Sequence, residues 1–233
     1  GTRSTAVGAF ALTSPTTAND NTAVGYAALE NNTTGYYNTA VGRDAMEDNT
    51  TGNNNASLGT FALEANTTAS DNTACGYAAM VNNTEGFQNT ALGSNSLRTN
   101  TTGDNNVAVG YGALYSATTA NDNTAVGRDA LNDNTTGTRN TAVGAYSLDA
   151  NTSANDNTAF GYQTLTNLNA GNSNTAVGSN ALQECTASDN TAVGMHALKA
   201  TTSGAYNTAM GRRALEANTT GDQNTAIGGL ALD

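Results

Sequence analysis

The stretch Asn21-Thr22-Ala23-Val24-Gly25-Tyr26-Ala27-Ala28-Leu29 is the unit from which the chain is built. It returns as Asn38-Thr39-Ala40-Val41-Gly42 and occurs last as Asn224-Thr225-Ala226-Ile227-Gly228. The glycines of these copies are 17 residues apart, except for one step of 16 residues between Gly178 and Gly194. A fixed period of this length is typical of repeat proteins in which each unit packs against its neighbours. The sequence therefore predicts fourteen stacked coils.

Each unit contains two short apolar segments. Thr-Ala-Val-Gly alternates with a period of two, which indicates a β-strand. The residue before every repeat glycine is apolar, and the fourth residue after it is always Leu or Met. We expect these two columns to form the core, with Ala and Gly on the opposite face of the strand. The segment Tyr26-Ala27-Ala28-Leu29 is predicted to form a second strand after a bend at Gly25.

These patterns predict an all-β fold, a parallel β-solenoid of fourteen 17-residue coils in one repeat domain, residues 1–233. Each coil has only two sizeable apolar side chains, which contribute about 3–6 kcal/mol on burial. Ordering the backbone costs roughly 1 kcal/mol or more per residue. The apolar core of a single solenoid therefore contributes too little free energy to stabilise one chain alone. The small Ala and Gly side of the strand offers a surface for close approach. We therefore expect copies of the chain to pack there, and three parallel copies would suit a small-residue axis.

Asparagine opens every unit but the first, where Ser4 takes its place. An amide can donate a hydrogen bond to one neighbour and accept one from another, so a stacked row of Asn can satisfy itself. The Asn-Thr-Thr triplets match glycosylation sequons, but their placement follows the repeat. The predicted structural ladder comprises Asn21, Asn38, Asn55, Asn72, Asn89, Asn106, Asn123, Asn140, Asn157, Asn174, Asn190, Asn207 and Asn224.

The longer turn that precedes the opening Asn has two versions. In one, Gly stands three residues before the Asn, as at Gly35; in the other, Ala stands there and Asp follows two residues later, as in Ala18 and Asp20. We interpret the Gly version as a turn with positive φ, which Ala resists. The Ala version would then be a different turn, held by the Asp side chain. Calcium binding by these Asp residues is the alternative, although the nonapeptide of calcium-binding β-rolls is absent.

The two residues after each repeat glycine vary, and this indicates that they face outward. Some of them recur with a period of five coils, as Arg43-Asp44 and Arg128-Asp129 do. A block of five coils therefore looks duplicated. The candidate surface-contact residues at these positions are Tyr26, Arg43, Phe61, Tyr77, Tyr111, Arg128, Tyr146, Tyr162, Arg212 and Arg213.

The composition argues against several functions. The formal net charge is −11 with only 8 Lys and Arg residues, whereas nucleic acids and anionic membranes require clustered cations. We found no apolar run long enough for this segment to insert into a membrane. His196 is the single histidine, and Cys75 and Cys185 are distant in sequence. These counts favour neither an enzyme nor a metal site, and no cofactor is expected beyond the calcium alternative. We expect Cys75, at a Val position, to lie inside.

The Asn-Thr-Ala-Val-Gly…Ala-Leu unit resembles the head repeats of trimeric autotransporter adhesins of the YadA type. It is also similar to repeat arrays of phage-type tail-fibre proteins, which carry Asn-Thr-Ala-Val-Gly-Tyr-x-Ala-Leu-x-x-Asn-Thr-Thr-Gly. The resemblance covers every coil. It implies a left-handed β-roll, a parallel homotrimer, and a location outside the cell, on a cell surface or on a virion. Because the sequence starts and stops inside the repeat, we expect the chain to be a fragment of a longer fibrous protein. The resemblance implies that this protein attaches to a host or cell-surface receptor of unknown identity.

Three functions remain open at this stage. The first is a trimeric structural or adhesive rod. The second is an ice-binding solenoid that uses the Thr column of Thr5, Thr22, Thr39 and their equivalents, although Ala56 and Val107 interrupt this column. Because Thr shares a strand face with Val, we expect it to point inward, which disfavours ice binding. The third is a self-assembling filament without a ligand.

Overall fold

The computed structural model describes residues 2–14 and 17–232 of the chain. These residues form two compact units, Gly1–Ala120 and Asn121–Asp233. The first unit contains seven three-residue strands: β1 Thr5–Val7, β2 Thr22–Val24, β3 Thr39–Val41, β4 Ala56–Leu58, β5 Thr73–Cys75, β6 Thr90–Leu92 and β7 Val107–Val109. The second contains β8 Thr124–Val126, β9 Thr141–Val143, β10 Thr158–Phe160, β11 Thr175–Val177, β12 Thr191–Val193, β13 Thr208–Met210 and β14 Thr225–Ile227.

The strands of each unit pair in chain order, in parallel, and without a shift in register. Thr22 pairs with Thr39, Ala23 with Ala40, and the pattern holds along the first unit. The second unit repeats it, and the 16-residue step before Gly194 leaves the pairing of β11 with β12 intact. The described residues include no helix. The predicted all-β, parallel β-solenoid is therefore confirmed.

The interior of each coil is built from the middle residue of the strand and from the Leu or Met column. Ala23 and its equivalents are buried, as are Leu29, Met46 and Leu63 on the other side of the coil. The expected burial of the Leu column is thus confirmed from Leu29 to Leu215, whereas Leu12 is half-buried and Leu232 is exposed. The residue before the glycine, however, points outward: Val7 is 57% exposed, and every member of its column is exposed or half-buried.

The prediction that Val lies in the core and Ala on the outer face is therefore wrong. Strand alternation defines two faces but does not say which of them is inside. The coil is so narrow that the column opposite the Leu side chains has room only for Ala, or for Ser57 in β4. The larger side chains of the strand are consequently on the surface.

The predicted second strand after the glycine is also wrong, because this segment is a run of turns. Every second residue has positive φ, as in Ala27 and Leu29, both at 52°. The alternation directs backbone N–H groups to both neighbours: Ala27 donates to the carbonyl of Ala9 at 2.9 Å, and Leu29 donates to that of Ala45 at 3.1 Å. A left-handed conformation costs a residue other than Gly about 1–2 kcal/mol. Hydrogen bonds between coils and burial of the Leu side chain offset this cost.

Because Ala faces the coil interior and Val faces outward, larger side chains at adjacent strand positions should have different effects on stability. We expect Ala142→Leu to destabilise the protein by about 2–3 kcal/mol, since the new side chain overpacks the coil interior. We expect Val143→Leu to change stability by less than about 0.5 kcal/mol, because Leu58 and Leu92 already occupy this column. Thermal unfolding followed by circular dichroism would compare the two variants. A larger loss for Val143→Leu would contradict the assignment of the two faces.

Candidate interaction surfaces

The outward side of the strands forms, in each unit, an uncharged surface of threonine and larger apolar side chains, which we call the sheet face. It consists of the first and third residues of every strand, so that β2 contributes Thr22 and Val24. None of the fourteen strands contains a charged residue. Large apolar side chains are well exposed here; Leu58 is 54% and Phe160 is 55% exposed. The sheet face is therefore an uncharged, regularly corrugated surface.

The threonine column lies on this face and not inside the coil. Thr and Val do share one side of the strand, as expected, but every residue in both columns is exposed or half-buried. In the first unit, Ala56 and Val107 interrupt the threonine column. In the second unit all seven strands begin with Thr, so the row has no interruption: Thr124, Thr141, Thr158, Thr175, Thr191, Thr208 and Thr225.

Both cysteines are free, and they lie in different surroundings. Cys75 is half-buried on the sheet face, where it borders a shallow apolar depression of about 290 Å³ together with Val41 and Leu58. Its predicted position inside the coil is wrong, because it shares the outward column with Val. Cys185 is buried, and burial raises the pKa of its thiol to about 11.

A second surface runs along the residues that follow the repeat glycines; we call it the ridge. In the first unit it joins Phe10, Tyr26, Arg43, Phe61 and Tyr77, one from each of five consecutive coils. Phe10 and Tyr26 meet edge to face at 5.4 Å between ring centroids, and so do Phe61 and Tyr77 at 5.8 Å. The Arg43 guanidinium carbon lies 6.0 Å from the Tyr26 centroid and 5.6 Å from that of Phe61. The structure thus brings four of the predicted contact residues into one chain of contacts.

The second unit contains the same arrangement at residues 85 positions later in the sequence. Arg128 lies 5.5 Å from the ring centroid of Tyr146, which meets Tyr162 edge to face at 6.2 Å. Arg43 and Arg128 each also pair with the aspartate that follows them: Arg43 with Asp44 at 2.9 Å, and Arg128 with Asp129 at 3.1 Å.

The remaining predicted contact residues are Tyr111, Arg212 and Arg213. Tyr111 is exposed and lies two coils beyond Tyr77. Arg212 is exposed in the second unit, whereas Arg213 pairs with Glu216, which also lies 3.3 Å from His196. These interactions stay on the surface of neighbouring coils and do not enclose a site.

The thirteen predicted ladder asparagines are buried, except Asn224, which is half-buried. Their hydrogen bonds run mainly between side chain and backbone. The N–H group of Asn38 donates to Oδ1 of Asn21 at 2.9 Å, and Nδ2 of Asn38 donates to the carbonyl of Gly52 at 2.7 Å. Direct amide-to-amide bonds join several members, such as Asn174 and Asn157 at 3.1 Å. The column therefore fixes each coil to the next.

A second asparagine ladder, which the sequence reasoning missed, lies on the opposite side of the long turn. Its members stand seven residues after the repeat glycine: Asn32, Asn49, Asn66, Asn83, Asn100, Asn134, Asn151 and Asn218. Nδ2 of Asn49 donates to Oδ1 of Asn32 at 2.8 Å, and to the carbonyl of Gly52 at 3.1 Å. The 17-residue recurrence of these asparagines was the available signal. It was missed because the Asn-Thr-Thr triplets that contain them also match glycosylation sequons. Because Asn32 and Asn49 are buried, such sequons have a structural role.

The two versions of the long turn share one backbone conformation, so the predicted difference between them is wrong. Gly35 does not have positive φ; the left-handed residue is the one just before the opening Asn, such as Tyr37 at 59° or Asp20 at 60°. At Gly35, a Cβ atom would lie only 2.5 Å from Oδ1 of Asn32, whereas other coils accommodate a methyl group at the equivalent place, as at Ala69 beside Asn66. Asp tolerates the left-handed conformation better than most residues, which explains its place in the other version.

Carboxylates gather beside the ridge in the second unit. Asp129, Asp133 and Asp149 line an open cleft of about 200 Å³ together with Asn132 and Tyr146. Burial, reinforced by the negative charges of Asp133 and Asp129, raises the pKa of Asp149 to about 6. Among residues 2–14 and 17–232, no group of three or more His, Cys, Asp or Glu side chains is arranged to hold a metal ion. The calcium hypothesis therefore gains no support from these turns.

No protein-family model, curated protein or solved structure matched the chain. In the described part of the chain, no helix has the length and apolar character needed to cross a membrane.

The buried ladder predicts a large effect of removing a single amide. Asn140 accepts from the N–H group of Asn157 at 3.0 Å and donates to the carbonyl of Ala154 at 2.8 Å. We expect Asn140→Ala to cost about 1–3 kcal/mol, since the buried N–H group of Asn157 loses its acceptor. The carbonyl of Ala154 keeps its bond from Nδ2 of Asn151 at 3.2 Å. The control is Asn167→Ala, which removes an exposed bond to Glu184 and should cost less than about 1 kcal/mol. Equal losses of unfolding free energy in urea would argue against a structural role for the ladder.

Proposed function

We propose that the chain is a non-catalytic structural subunit, which assembles with copies of itself through the sheet face into a fibrous element for attachment outside the cell. The observation that carries this proposal is the uncharged surface along the strands of both units, on which a column of apolar side chains is exposed beside the threonines. Among residues 2–14 and 17–232, the charged side chains lie elsewhere, in the turns and on the ridge. Large exposed apolar patches are rare on monomeric proteins and typically mark an interaction surface.

The dimensions of the sheet face agree with a stable contact. Seven strands about 4.8 Å apart and about 10 Å long present about 330 Å² in each unit. The areas of the two units sum to about 660 Å² per copy, which is below the ~800 Å² that each partner contributes to a standard protein interface but of the same order. Assembly would thus use the Thr and Val side of the strand. The Ala and Gly side, which the sequence predicted as the contact surface, lies inside the coil.

The in-register repeat favours a parallel homotrimer as the form of assembly. A second copy laid in the same direction meets an equivalent residue at every coil, so one favourable contact is multiplied along the face. The resemblance to trimeric adhesin heads and tail-fibre arrays supports the same arrangement. It also supports a location on a cell surface or virion and a host or cell-surface receptor as the further partner. The net charge of −11 disfavours nucleic acid as that partner.

We expect light scattering after size exclusion to give a mass near three times 23.5 kDa. Val126→Lys combined with Val143→Lys places two cations on the sheet face of each copy and should yield monomers, since burying unpaired charges opposes association. Asn167→Lys adds a cation at an exposed turn and should leave the mass unchanged. A wild-type mass of 23.5 kDa would refute self-association.

Oxidation of Cys75 tests whether the associated copies are parallel and in register. Mild oxidation should link Cys75 to Cys75 of a neighbouring copy if the copies are parallel and in register, because a disulfide requires Cα atoms about 4.4–6.8 Å apart. The link should persist in Cys185→Ala and disappear in Cys75→Ala. A trimer that forms no such link would contradict the in-register parallel arrangement.

Ice binding is a second candidate, favoured by the uninterrupted threonine row of β8–β14. The reason for disfavouring it was an inward Thr column, and that column points outward. A parallel, in-register sheet with equal strand spacing presents hydroxyl and methyl groups in a regular array, and such an array can order a layer of water. This use requires a free sheet face, so it competes directly with self-association.

Thermal hysteresis measured by nanolitre osmometry separates the two candidates. If the threonine row binds ice, the wild-type protein should show hysteresis and shape ice crystals, and Thr158→Lys with Thr175→Lys should abolish both by disrupting the flat array. Asn167→Lys serves as the matched control. A stable trimer without hysteresis would exclude ice binding and favour the structural role.

A further inference from the structure

We propose that each unit carries a binding platform for a neutral saccharide on its ridge. The platform of the first unit comprises Tyr77, Phe61 and the Arg43–Asp44 pair. That of the second comprises Tyr162, Tyr146 and the Arg128–Asp129 pair. This surface is separate from the sheet face, and the inference does not depend on self-association.

The fold itself does not require these side chains. Other coils have Ser94 and Asn95, or Ser179 and Asn180, directly after the repeat glycine. Asn95 and Asn180 both have φ of 57°, close to the 60° of Phe61 and the 58° of Tyr146. Since small polar residues form the same turn, the exposed rings of the platforms are not explained by the backbone.

The two platforms also agree in their geometry. The distance from the guanidinium carbon to the ring centroid is 5.6 Å for Arg43 over Phe61 and 5.5 Å for Arg128 over Tyr146. The ring pairs are edge to face in both, at interplanar angles of 78° and 84°. The whole arrangement, and not only one residue type, is therefore present twice.

Each platform presents a rigid, half-exposed ring. Tyr77 is 54% exposed and Tyr162 is 50% exposed, while contacts with Phe61 and Tyr146 restrict their motion. A ring that is already held in place loses little conformational entropy on binding. Its apolar face can cover the C–H face of a pyranose, and the phenol hydroxyl remains at the water-exposed edge.

The charges around the platforms select a neutral ligand that donates hydrogen bonds. Glu47 and Glu64 lie near Asp44, and burial together with neighbouring carboxylates raises the pKa of both. In the second unit the carboxylates beside Asp129 are Asp133 and Asp149, which take the places of Asp48 and Glu64. Such surroundings repel uronic acids, sialic acids and phosphates, but they can accept hydrogen bonds from sugar hydroxyls.

A cationic ligand is less suited to the platforms than a neutral one. The cation position at Phe61 and at Tyr146 is already filled by Arg43 and by Arg128. Each of these guanidinium groups is in turn neutralised by Asp44 or Asp129. The platform itself is therefore an uncharged, amphipathic surface, which matches the alternating C–H and hydroxyl groups of a sugar.

Calorimetric titration of the full chain tests the inference. The probes are hexasaccharides of β-1,4-glucose, α-1,4-glucose and β-1,4-mannose, with a hyaluronan hexasaccharide and hexalysine as the charged comparisons. We expect at least one neutral hexasaccharide to bind at two sites per chain with Kd of about 0.1–1 mM. Tyr77→Ser should leave one site, and Tyr77→Ser with Tyr162→Ser should weaken binding at least tenfold. Tyr77→Phe with Tyr162→Phe keeps the rings and should retain both sites.

Two controls separate binding from folding and from assembly. Tyr206→Ser removes an exposed tyrosine outside the platforms and should bind like the wild type, and all variants should show the wild-type circular dichroism spectrum. Val126→Lys with Val143→Lys disrupts only the sheet face and should retain both saccharide sites. The proposal is overturned by absence of saturable binding of the neutral probes up to about 10 mM, by tighter binding of a charged probe, or by undiminished binding in the double serine variant.

Discussion

The structure depends on hydrogen bonds between adjacent coils that leave almost no space between their backbones. The backbone N–H group of Thr22 donates to the carbonyl of Asn38 in the next coil at 2.9 Å, and that of Gly25 donates to the carbonyl of Val7 in the preceding coil at 2.8 Å. A Cβ atom on Gly93 would lie 2.5 Å from the carbonyl oxygen of Gly110, so the approach of the coils excludes any side chain there. The repeat glycine is fixed by this contact. Buried amide groups satisfy the remaining backbone partners of the long turn.

This tight stacking has a consequence for the energetics of the coil. The interior holds one Leu or Met and a few Ala side chains, so apolar burial within a coil is small. The Asn columns add hydrogen bonds that are buried from water, and their net contribution is about 1 kcal/mol each. The Val column, whose burial would add about 1.5–3 kcal/mol per residue, remains on the surface of the single chain. Covering the sheet face would recover that free energy, which is the physical basis for proposing self-association.

The repeat period, the strand positions and the buried Leu column could be predicted from the sequence, because each leaves a mark at a fixed offset from the glycine. Which side of the strand faces the coil interior could not be predicted. Ala23 and Val24 are both apolar, and only the width of the coil decides which of them fits inside. The run of turns after Gly25 was missed because Ala27 and Leu29 adopt positive φ, a conformation for which neither residue has a preference. The second asparagine ladder was hidden because Asn32-Thr33-Thr34 also matches a glycosylation sequon.

The separation between scaffold and surface explains where the sequence of this chain is free to vary. Phe160 and Met210 occupy a column that is otherwise mostly Val, and β10 and β13 nevertheless keep the register of their neighbours. Because these side chains do not enter the coil, replacing Val by Phe there changes nothing inside it. The same holds for the ridge, where Tyr77 and Ser94 begin the same turn in adjacent coils. Sheet face and ridge residues are thus not determined by the packing of the coil, which leaves them free to differ from coil to coil without disturbing the fold.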